Sequence, residues 1–326
     1  MSVAILGAGS WGSAIAIHLA KQGLQVMLWS RSTQHALDMQ KQRSNVNYLP
    51  GIPFPDSLNP TDDLDKCLNT SQFIIIAVPS HAFSEILLKF KKVPPAICWL
   101  TKGIDSETNL LLSEVVAKKW GANISTAIIS GPSFAAEVAQ GLPTALLVAG
   151  TNNAYNIALQ SLLHHQHLRV YLSSDIIGVQ LCGAVKNILA IACGISDGMQ
   201  LGANARAAII TRGLAEMKRL GVASGALPET FMGLAGLGDL VLTCTDNQSR
   251  NRRFGLLIGQ GKSSADAEHA IQQVVEGKHN ANQINTLAKA HGIQMPICQE
   301  INALLAGHGT AKQALENLMR RPSQFE

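Results

Sequence analysis

The sequence predicts a two-part protein, an α/β first half built on a mostly parallel sheet and an all-α second half. Three observations carry that expectation. The chain opens on an apolar run, Val3-Ala4-Ile5-Leu6, that turns at Gly7-x-Gly9-x-x-Gly12 into Ala, Ile and Leu at helical spacing. Continuous apolar runs then alternate with helical segments up to Leu172, the pattern of strands covered by helices on both faces. From about Ser174 no convincing strand follows. The reading is a sheet domain over 1–173 and an all-helical domain over 174–326, and 326 residues is the length of about two domains.

The opening unit reads as strand, tight turn and helix, with Gly23 as the stop and a second strand at Leu24-Gln25-Val26-Met27-Leu28-Trp29. Each glycine of such a turn has its own task. Gly7 permits the turn, Gly9 lets the backbone approach a pyrophosphate, and Gly12 lets helix and strand pack closely. The pyrophosphate then rests on the free N–H groups and positive dipole end of the helix. A three-glycine turn also serves packing alone, but here a strand and a helix flank it and a second strand follows, so dinucleotide binding is expected. An NAD site usually carries Asp or Glu about 20 residues beyond the glycines, whereas Arg suits a 2′-phosphate. The second strand ends Trp29-Ser30-Arg31-Ser32, without an acid, which favours NADPH over NADH. An Arg31 stacked on adenine would serve either, and a solvated Arg31 neither.

Further along, a helix is expected over Thr33–Gln42 and a proline-rich loop over Leu49–Pro55. Strands are expected at Phe73–Val78, Ile97–Leu100 and Ala127–Ile129, with further candidates at Thr144–Val148 and Leu168–Leu172. Ligands of open α/β sheets bind at the carboxyl ends of the strands. Pro79-Ser80, Thr101-Lys102-Gly103 and Ser130-Gly131-Pro132-Ser133 all fall at such ends. In the second half the main helices are expected over Ile176–Gly194, Ala205–Leu220, Asn251–Gln260, Ala281–Ala290 and Pro296–Ala306, several followed closely by Gly. The tail from Arg320 to Glu326 is expected to fray.

Composition narrows the function classes. A hydrophobic share of 47% against 15% charged residues suits a compact enzyme rather than a disordered or fibrous chain. A net charge of +4 and 5% aromatics give no argument for nucleic acid. Six cysteines without C-x-x-C spacing suggest reduced thiols rather than a disulfide framework or zinc site. His164-His165-Gln166-His167 lacks i, i+4 spacing and carboxylates, so a polar loop is expected there and no metal. Apolar runs such as Ile188–Cys193 read as too short for a bilayer, which needs about 20 residues. No leader segment is evident, and a cytoplasmic protein without membrane insertion is expected.

Lys186 is the most unusual residue. It stands in Val179-Gln180-Leu181-Cys182-Gly183-Ala184-Val185-Lys186-Asn187-Ile188-Leu189-Ala190-Ile191, a helix apolar on nearly every side and therefore buried. Such a lysine is paired, or has its pKa lowered toward neutrality, or snorkels to water along its stem. A lysine titrating near working pH can exchange a proton with a hydroxyl or carbonyl. Gly233-Leu234-Ala235-Gly236-Leu237-Gly238-Asp239-Leu240 precedes no βαβ unit, so its glycines are expected to admit a small ligand or another helix. Asp239 can orient Lys186 or cap a helix. Ser249-Arg250-Asn251-Arg252-Arg253 opens a helix with donors and guanidinium groups suited to phosphate, although the cluster itself does not separate phosphate from carboxylate or from a solvated basic patch.

Read together, these stretches resemble the bacterial-type NAD(P)-dependent glycerol-3-phosphate dehydrogenase family over nearly the whole chain. The resemblance is carried by Gly7–Gly12, Ala77-Val78-Pro79-Ser80, Thr101-Lys102-Gly103, Ile129–Ala135, Gly178 through Lys186-Asn187, Gly198–Arg206, Gly233–Gly255 and Val274-Val275-Glu276-Gly277. Gly233–Gly255 is the most specific of them. Trp11 and Ser133 stand where relatives carry Tyr or Phe and Thr.

The resemblance implies a Rossmann-type domain followed by an all-helical one, often as a homodimer. It also implies reversible hydride transfer between NAD(P)H and a phosphorylated small molecule, dihydroxyacetone phosphate, giving sn-glycerol 3-phosphate for phospholipid synthesis. Position by position, Lys186 matches the proton-exchanging lysine, and Lys102 a lysine near cofactor and substrate. Gly131, Ser133, Asp239, Ser249, Arg250 and Asn251 match substrate contacts, while Ser10, Trp11, Arg31, Ala135, Arg250, Val274 and Glu276 match cofactor contacts. Two rivals stand beside this reading. One is a reductase of a hydroxy acid, which needs a carboxylate clamp, and the other a nucleotide-sensing protein, which needs no buried lysine.

Overall fold

In the computed structural model, which describes residues 1–321, the expected alternation is present from the first strand. Strand β1 (Ser2–Leu6) leads into α1 (Ser10–Lys21) and β2 (Gln25–Trp29), then α2 (Thr33–Gln42), β3 (Ser44–Asn45), β4 (Leu49–Pro53), β5 (Leu58–Thr61) and α3 (Leu64–Thr70). The chain continues through β6 (Phe73–Ile76), α4 (Phe83–Leu88), β7 (Ala96–Trp99), α5 (Leu112–Trp120), β8 (Ser125–Ser130), α6 (Ala135–Gln140), β9 (Thr144–Gly150), α7 (Asn153–Leu163) and β10 (Leu168–Ser173). Among the described residues the main sheet has eight strands in the order β10-β9-β8-β7-β6-β1-β2-β5. Neighbours are parallel except β8 and β9, so β9 and β10 run against the rest. The continuous apolar runs have the expected cause: Val3, Ile5, Ile75, Cys98, Ala127 and Ile129 are wholly buried in one core with Ile15, Leu19 and Leu159 from the covering helices.

Two elements of this sheet region differ from expectation. Leu49–Pro53, expected as loop, pairs antiparallel with β3, because Leu49 and Ile52 are buried and anchor the segment to the core. Leu58–Thr61, to which the sequence reading assigned no element, is a parallel strand beside β2. Proline is tolerated there because the strand lies at the edge of the sheet, where a missing N–H breaks no ladder bond.

The chain divides into two compact units. The first takes Met1–Lys102 and Leu112–Ile176; the second takes Gly103–Leu111 and the chain from Ile177 onward. The expected halves, 1–173 and 174–326, differ from this partition by the transfer of Gly103–Leu111 and three residues at the junction. In the second unit are α8 (Ile176–Gly198), α9 (Gly202–Ala223), α10 (Asp239–Thr245), α11 (Arg250–Gly259), α12 (Ser264–Ile271), α13 (Glu276–Ala290), α14 (Pro296–Leu305) and α15 (Ala311–Met319). Helices α10, α12 and α15 are shorter than the apolar period resolves. Two of them are nonetheless signalled by caps: Ser263 accepts from the Asp266 N–H, and Thr310 with Gln313 forms a capping box. Of the expected frayed tail, 322–326 lie outside the described residues.

Helix α8 corrects the expectation that every apolar run is too short for a bilayer. It has 23 residues and a mean hydropathy of 1.8, enough by length and composition to cross one. Its apolar window is 94% buried, so the run meets protein on nearly all sides.

Candidate active site

The first unit presents a glycine-built cradle between β1 and α1. Gly7 holds φ +129°, and a Cβ there would stand 2.7 Å from the Ala77 carbonyl. A Cβ on Gly12 would stand 2.0 Å from the Gly7 oxygen, whereas one on Gly9 would meet nothing within 4 Å. The turn therefore excludes side chains for two different reasons, backbone conformation at Gly7 and packing at Gly12, while the approach to Gly9 is open. Gly9 is also the N-cap of α1 and supplies no capping side chain. These features fit a dinucleotide pyrophosphate. Ser10 donates to the Tyr48 carbonyl at 2.8 Å, and half-buried Trp11 packs on the core of the unit. Arg31 is exposed just beyond β2, in a segment with no acid.

At the carboxyl edge of the same sheet, three adjacent parallel strands release the loops expected to carry ligand groups. They are tied to one another. Thr101 Oγ1 after β7 donates to the Val78 carbonyl after β6 at 2.7 Å. Lys102 Nζ donates to the Gly131 carbonyl after β8 at 3.2 Å, and Ser133 Oγ donates to the same oxygen at 3.0 Å. Gly131 holds φ +130° to present that carbonyl, and Ala135 opens α6 just beyond.

The second unit holds the buried lysine. Lys186 is 6% exposed and Asp239 1%. Lys186 Nζ donates to Asp239 Oδ1 at 2.5 Å and to Thr243 Oγ1 at 2.9 Å, while the Thr243 hydroxyl donates to the Asp239 carbonyl at 2.6 Å. Of the three states open to such a lysine, the geometry selects the paired one: a buried ammonium facing a buried carboxylate. The alternative, a helix cap, is not what Asp239 does: the N-cap of α10 is Gly238 without a side-chain cap bond, and Asp239 stands in the first turn, where a carboxylate complements the helix dipole. Thr243 follows it by four residues, hence on the same helix face, and reasoning from sequence missed it although this spacing is a signal. Nearby Cys244 stays a neutral thiol, its pKa pushed well up by a hydrogen bond with Cys193 and by burial.

The Ser249–Arg253 cluster is more differentiated than its sequence suggests. Ser249 is the N-cap of α11 and accepts from the Arg252 N–H at 3.2 Å. Asn251 Oδ1 accepts from the Gly277 N–H at 2.8 Å, which turns its amide donors the other way. Gly277 has no room for a side chain, since a Cβ would stand 2.5 Å from the Asn187 carbonyl. Val274 and Glu276, both half-buried, therefore lead directly onto Asn251. Of the arginines, Arg252 is buried and committed inward, to Asp197 Oδ2 at 2.5 Å and to Asn247 Oδ1. Arg253 donates to the Asn247 carbonyl, and half-buried Arg250 is the first residue of the helix. The second glycine-rich stretch admits no ligand at Gly236, where a Cβ would stand 2.1 Å from the Phe231 carbonyl, so the close approach there is chain against chain.

Helices α8 and α11 meet along a glycine seam. A Cβ on Gly194 would stand 2.1 Å from the Arg252 oxygen and one on Gly198 2.3 Å from that of Leu256. From the other side, Gly255 faces the Ile191 oxygen at 2.1 Å and Gly259 that of Ile195 at 2.3 Å. Residue numbers rise together along both helices, so they run parallel with backbones in contact. The start of α11 is thereby brought level with the Lys186 part of α8.

A first β–α turn that requires glycine at Gly7 and Gly12 and stays open at Gly9 fits a dinucleotide-binding protein, and a buried ammonium held by a carboxylate is a group able to give up a proton. The class is that of nicotinamide-dependent oxidoreductases. Comparison with known proteins is specific. Models of the N-terminus and C-terminus of NAD-dependent glycerol-3-phosphate dehydrogenase match residues 2–156 and 175–316. The glycerol-3-phosphate dehydrogenase (NAD(P)+) of Legionella pneumophila strain Paris is 60% identical over 325 residues, covering 100% of this chain and 99% of its own. That of Salmonella paratyphi B is 50% identical over 329 residues, covering 100% and 97%. The crystal structure of glycerol-3-phosphate dehydrogenase from Coxiella burnetii superposes with a TM-score of 0.95 at 49% identity, covering 98% of this chain and 99% of that one. The chain belongs to the NAD-dependent glycerol-3-phosphate dehydrogenase family, and its cofactor is NADH or NADPH.

Proposed function

We propose that this protein catalyses the reversible reduction of dihydroxyacetone phosphate to sn-glycerol 3-phosphate, with NADPH favoured over NADH, and so supplies glycerophospholipid synthesis. The observation that carries the reading is the buried Lys186–Asp239–Thr243 group, in a chain 60% identical to a glycerol-3-phosphate dehydrogenase. When bound, the nicotinamide supplies the hydride for the ketone carbon. Lys186 gives the ketone oxygen its proton as negative charge develops there, and Asp239 and Thr243 hold the ammonium in place. In the oxidative direction the neutral amine of Lys186 takes the hydroxyl proton. Lys102 adds positive charge toward cofactor and substrate, with Gly131 and Ser133 as further substrate contacts.

Ser249, Arg250 and Asn251 hold the phosphate, and so fix which carbon is presented. Gly7, Gly9, Ser10, Trp11, Gly12, Arg31, Ala135, Arg250, Val274 and Glu276 serve the cofactor. In this reading 1–173 is the nucleotide domain and 174–326 the catalytic domain of a cytoplasmic homodimer. The test is initial rates with dihydroxyacetone phosphate, unphosphorylated dihydroxyacetone and a 2-oxo acid, each with NADPH and with NADH. Dihydroxyacetone phosphate should be reduced far faster than the other two; a 2-oxo acid reduced best would transfer the cluster to a carboxylate. Arg31→Ala should raise the KM for NADPH and leave that for NADH nearly unchanged; an NADPH preference that survives the substitution would refute the 2′-phosphate role.

A further inference from the structure

We propose that Asp197 and Arg252 are positioning residues for the substrate phosphate, fastening the start of α11 to α8 in a fixed register with Lys186. This rests on the reading of Ser249, Arg250 and Asn251 as the phosphate-holding group.

Arg252 is not itself a phosphate ligand. Its side chain is 9% exposed, with Nη2 on Asp197 Oδ2 at 2.5 Å and Nη1 on Asn247 Oδ1. The other oxygen of Asp197 accepts from Arg206 Nη1 of α9 at 2.8 Å, so one carboxylate gathers arginines from two helices. A buried ion pair is weak evidence for stability, because desolvation offsets most of its attraction. Buried Arg252 Nε moreover has no acceptor. What the arrangement does supply is direction. Asp197 lies eleven residues after Lys186 on α8, three turns on and within about 20° of the same face. Arg252 thus has its side chain on the face of α8 that carries the proton donor, while its backbone N–H holds the Ser249 hydroxyl oxygen. The glycine seam sets how near α11 comes to α8, and the ion pair sets where along α8 the Ser249-Arg250-Asn251 segment stops. A small slip of that segment would move the phosphate, and with it the ketone, relative to Lys186 Nζ.

The test compares Asp197→Asn and Arg252→Lys, which keep size and much of the hydrogen bonding, with Arg206→Ala, which removes only the outer arm. In Asp197→Asn and Arg252→Lys the KM for dihydroxyacetone phosphate should rise about tenfold or more, with kcat within about threefold and the KM for NADPH within about twofold of wild type. Arg206→Ala should move the same constant by about two- to fivefold, and it carries the test with Arg252→Lys should Asp197→Asn not fold. An unchanged KM for dihydroxyacetone phosphate in the folded variants would overturn the proposal, as would a loss of melting temperature with all kinetic constants moving together. Arg250→Ala separates the two levels of the argument. If it leaves that KM unchanged, the phosphate reading itself fails; if it raises the KM while Asp197→Asn and Arg252→Lys do not, only the positioning role fails.

Discussion

At the scale of single residues, the partners of a side chain decide its role more than its type does. Lys186 and Arg252 are both buried cations bound to an aspartate, yet Lys186 has Thr243 as a second acceptor beside a neutral thiol, and Arg252 spends both terminal nitrogens on internal groups. Sequence reasoning found Lys186 because a charge in an apolar helix is conspicuous, and it paired Asp239 with it correctly. The motif by itself did not separate its three arginines, since nothing in Ser249-Arg250-Asn251-Arg252-Arg253 shows that Asp197, far away in the chain, claims one of them; only the family resemblance singled out Arg250. Arg250, the residue the resemblance places on the substrate, is half-buried and begins α11. Arg250→Ala should therefore weaken dihydroxyacetone phosphate by roughly 1.5–3 kcal/mol, the worth of a hydrogen bond to a charged group, read as a KM on the order of 10–100 times higher. Unchanged constants for both substrate and cofactor would remove Arg250 from the site.

At the scale of elements, backbone approach is set by glycine, at the β1–α1 turn and along the α8–α11 seam. The first was legible because a strand and helix flank it in sequence. The second was not, because Gly194, Gly198, Gly255 and Gly259 lie on separate helices and read individually as weak helix residues. Gly255→Ala, whose Cβ would stand 2.1 Å from the Ile191 oxygen, should cost about 1–3 kcal/mol through overpacking and lower activity with it. A melting temperature equal to wild type would show that the seam has slack. Helix α1 carries a pH-sensitive point in the first unit, since half-buried His18 bonds the Leu163 carbonyl at 2.7 Å. Burial, with the nearby charges of His165 and Lys21, lowers its pKa below 6.5. The neutral ring is thus favoured in the folded chain. Its contribution is complete above pH 6.5 and is lost as pH falls through the lowered folded value. Wild type should lose thermal stability below pH 6.5 more steeply than His18→Gln; parallel pH profiles would contradict this.

At the scale of the molecule, the sheet and the helical region were readable because parallel strands and buried helices differ in the length and period of their apolar runs. What escaped were elements held by few residues: the edge strand β5, the β3–β4 ribbon, and the short helices marked by caps rather than periodicity. The division into units is also less simple than one cut, because Gly103–Leu111 keeps company with residues far along the chain. The family fixes the kind of chemistry, and the proposed function assigns its proton to Lys186. The measurement that tests this most directly is the initial rate of NADPH oxidation with dihydroxyacetone phosphate, wild type against Lys186→Met, with NADPH binding followed by its fluorescence in both. A general acid contributes on the order of 10²–10⁴-fold. Wild type should oxidise NADPH in step with glycerol 3-phosphate formed, and the variant should bind NADPH normally but turn over at least about 10²-fold more slowly. A variant that keeps turnover within about tenfold of wild type would show that the proton comes from elsewhere.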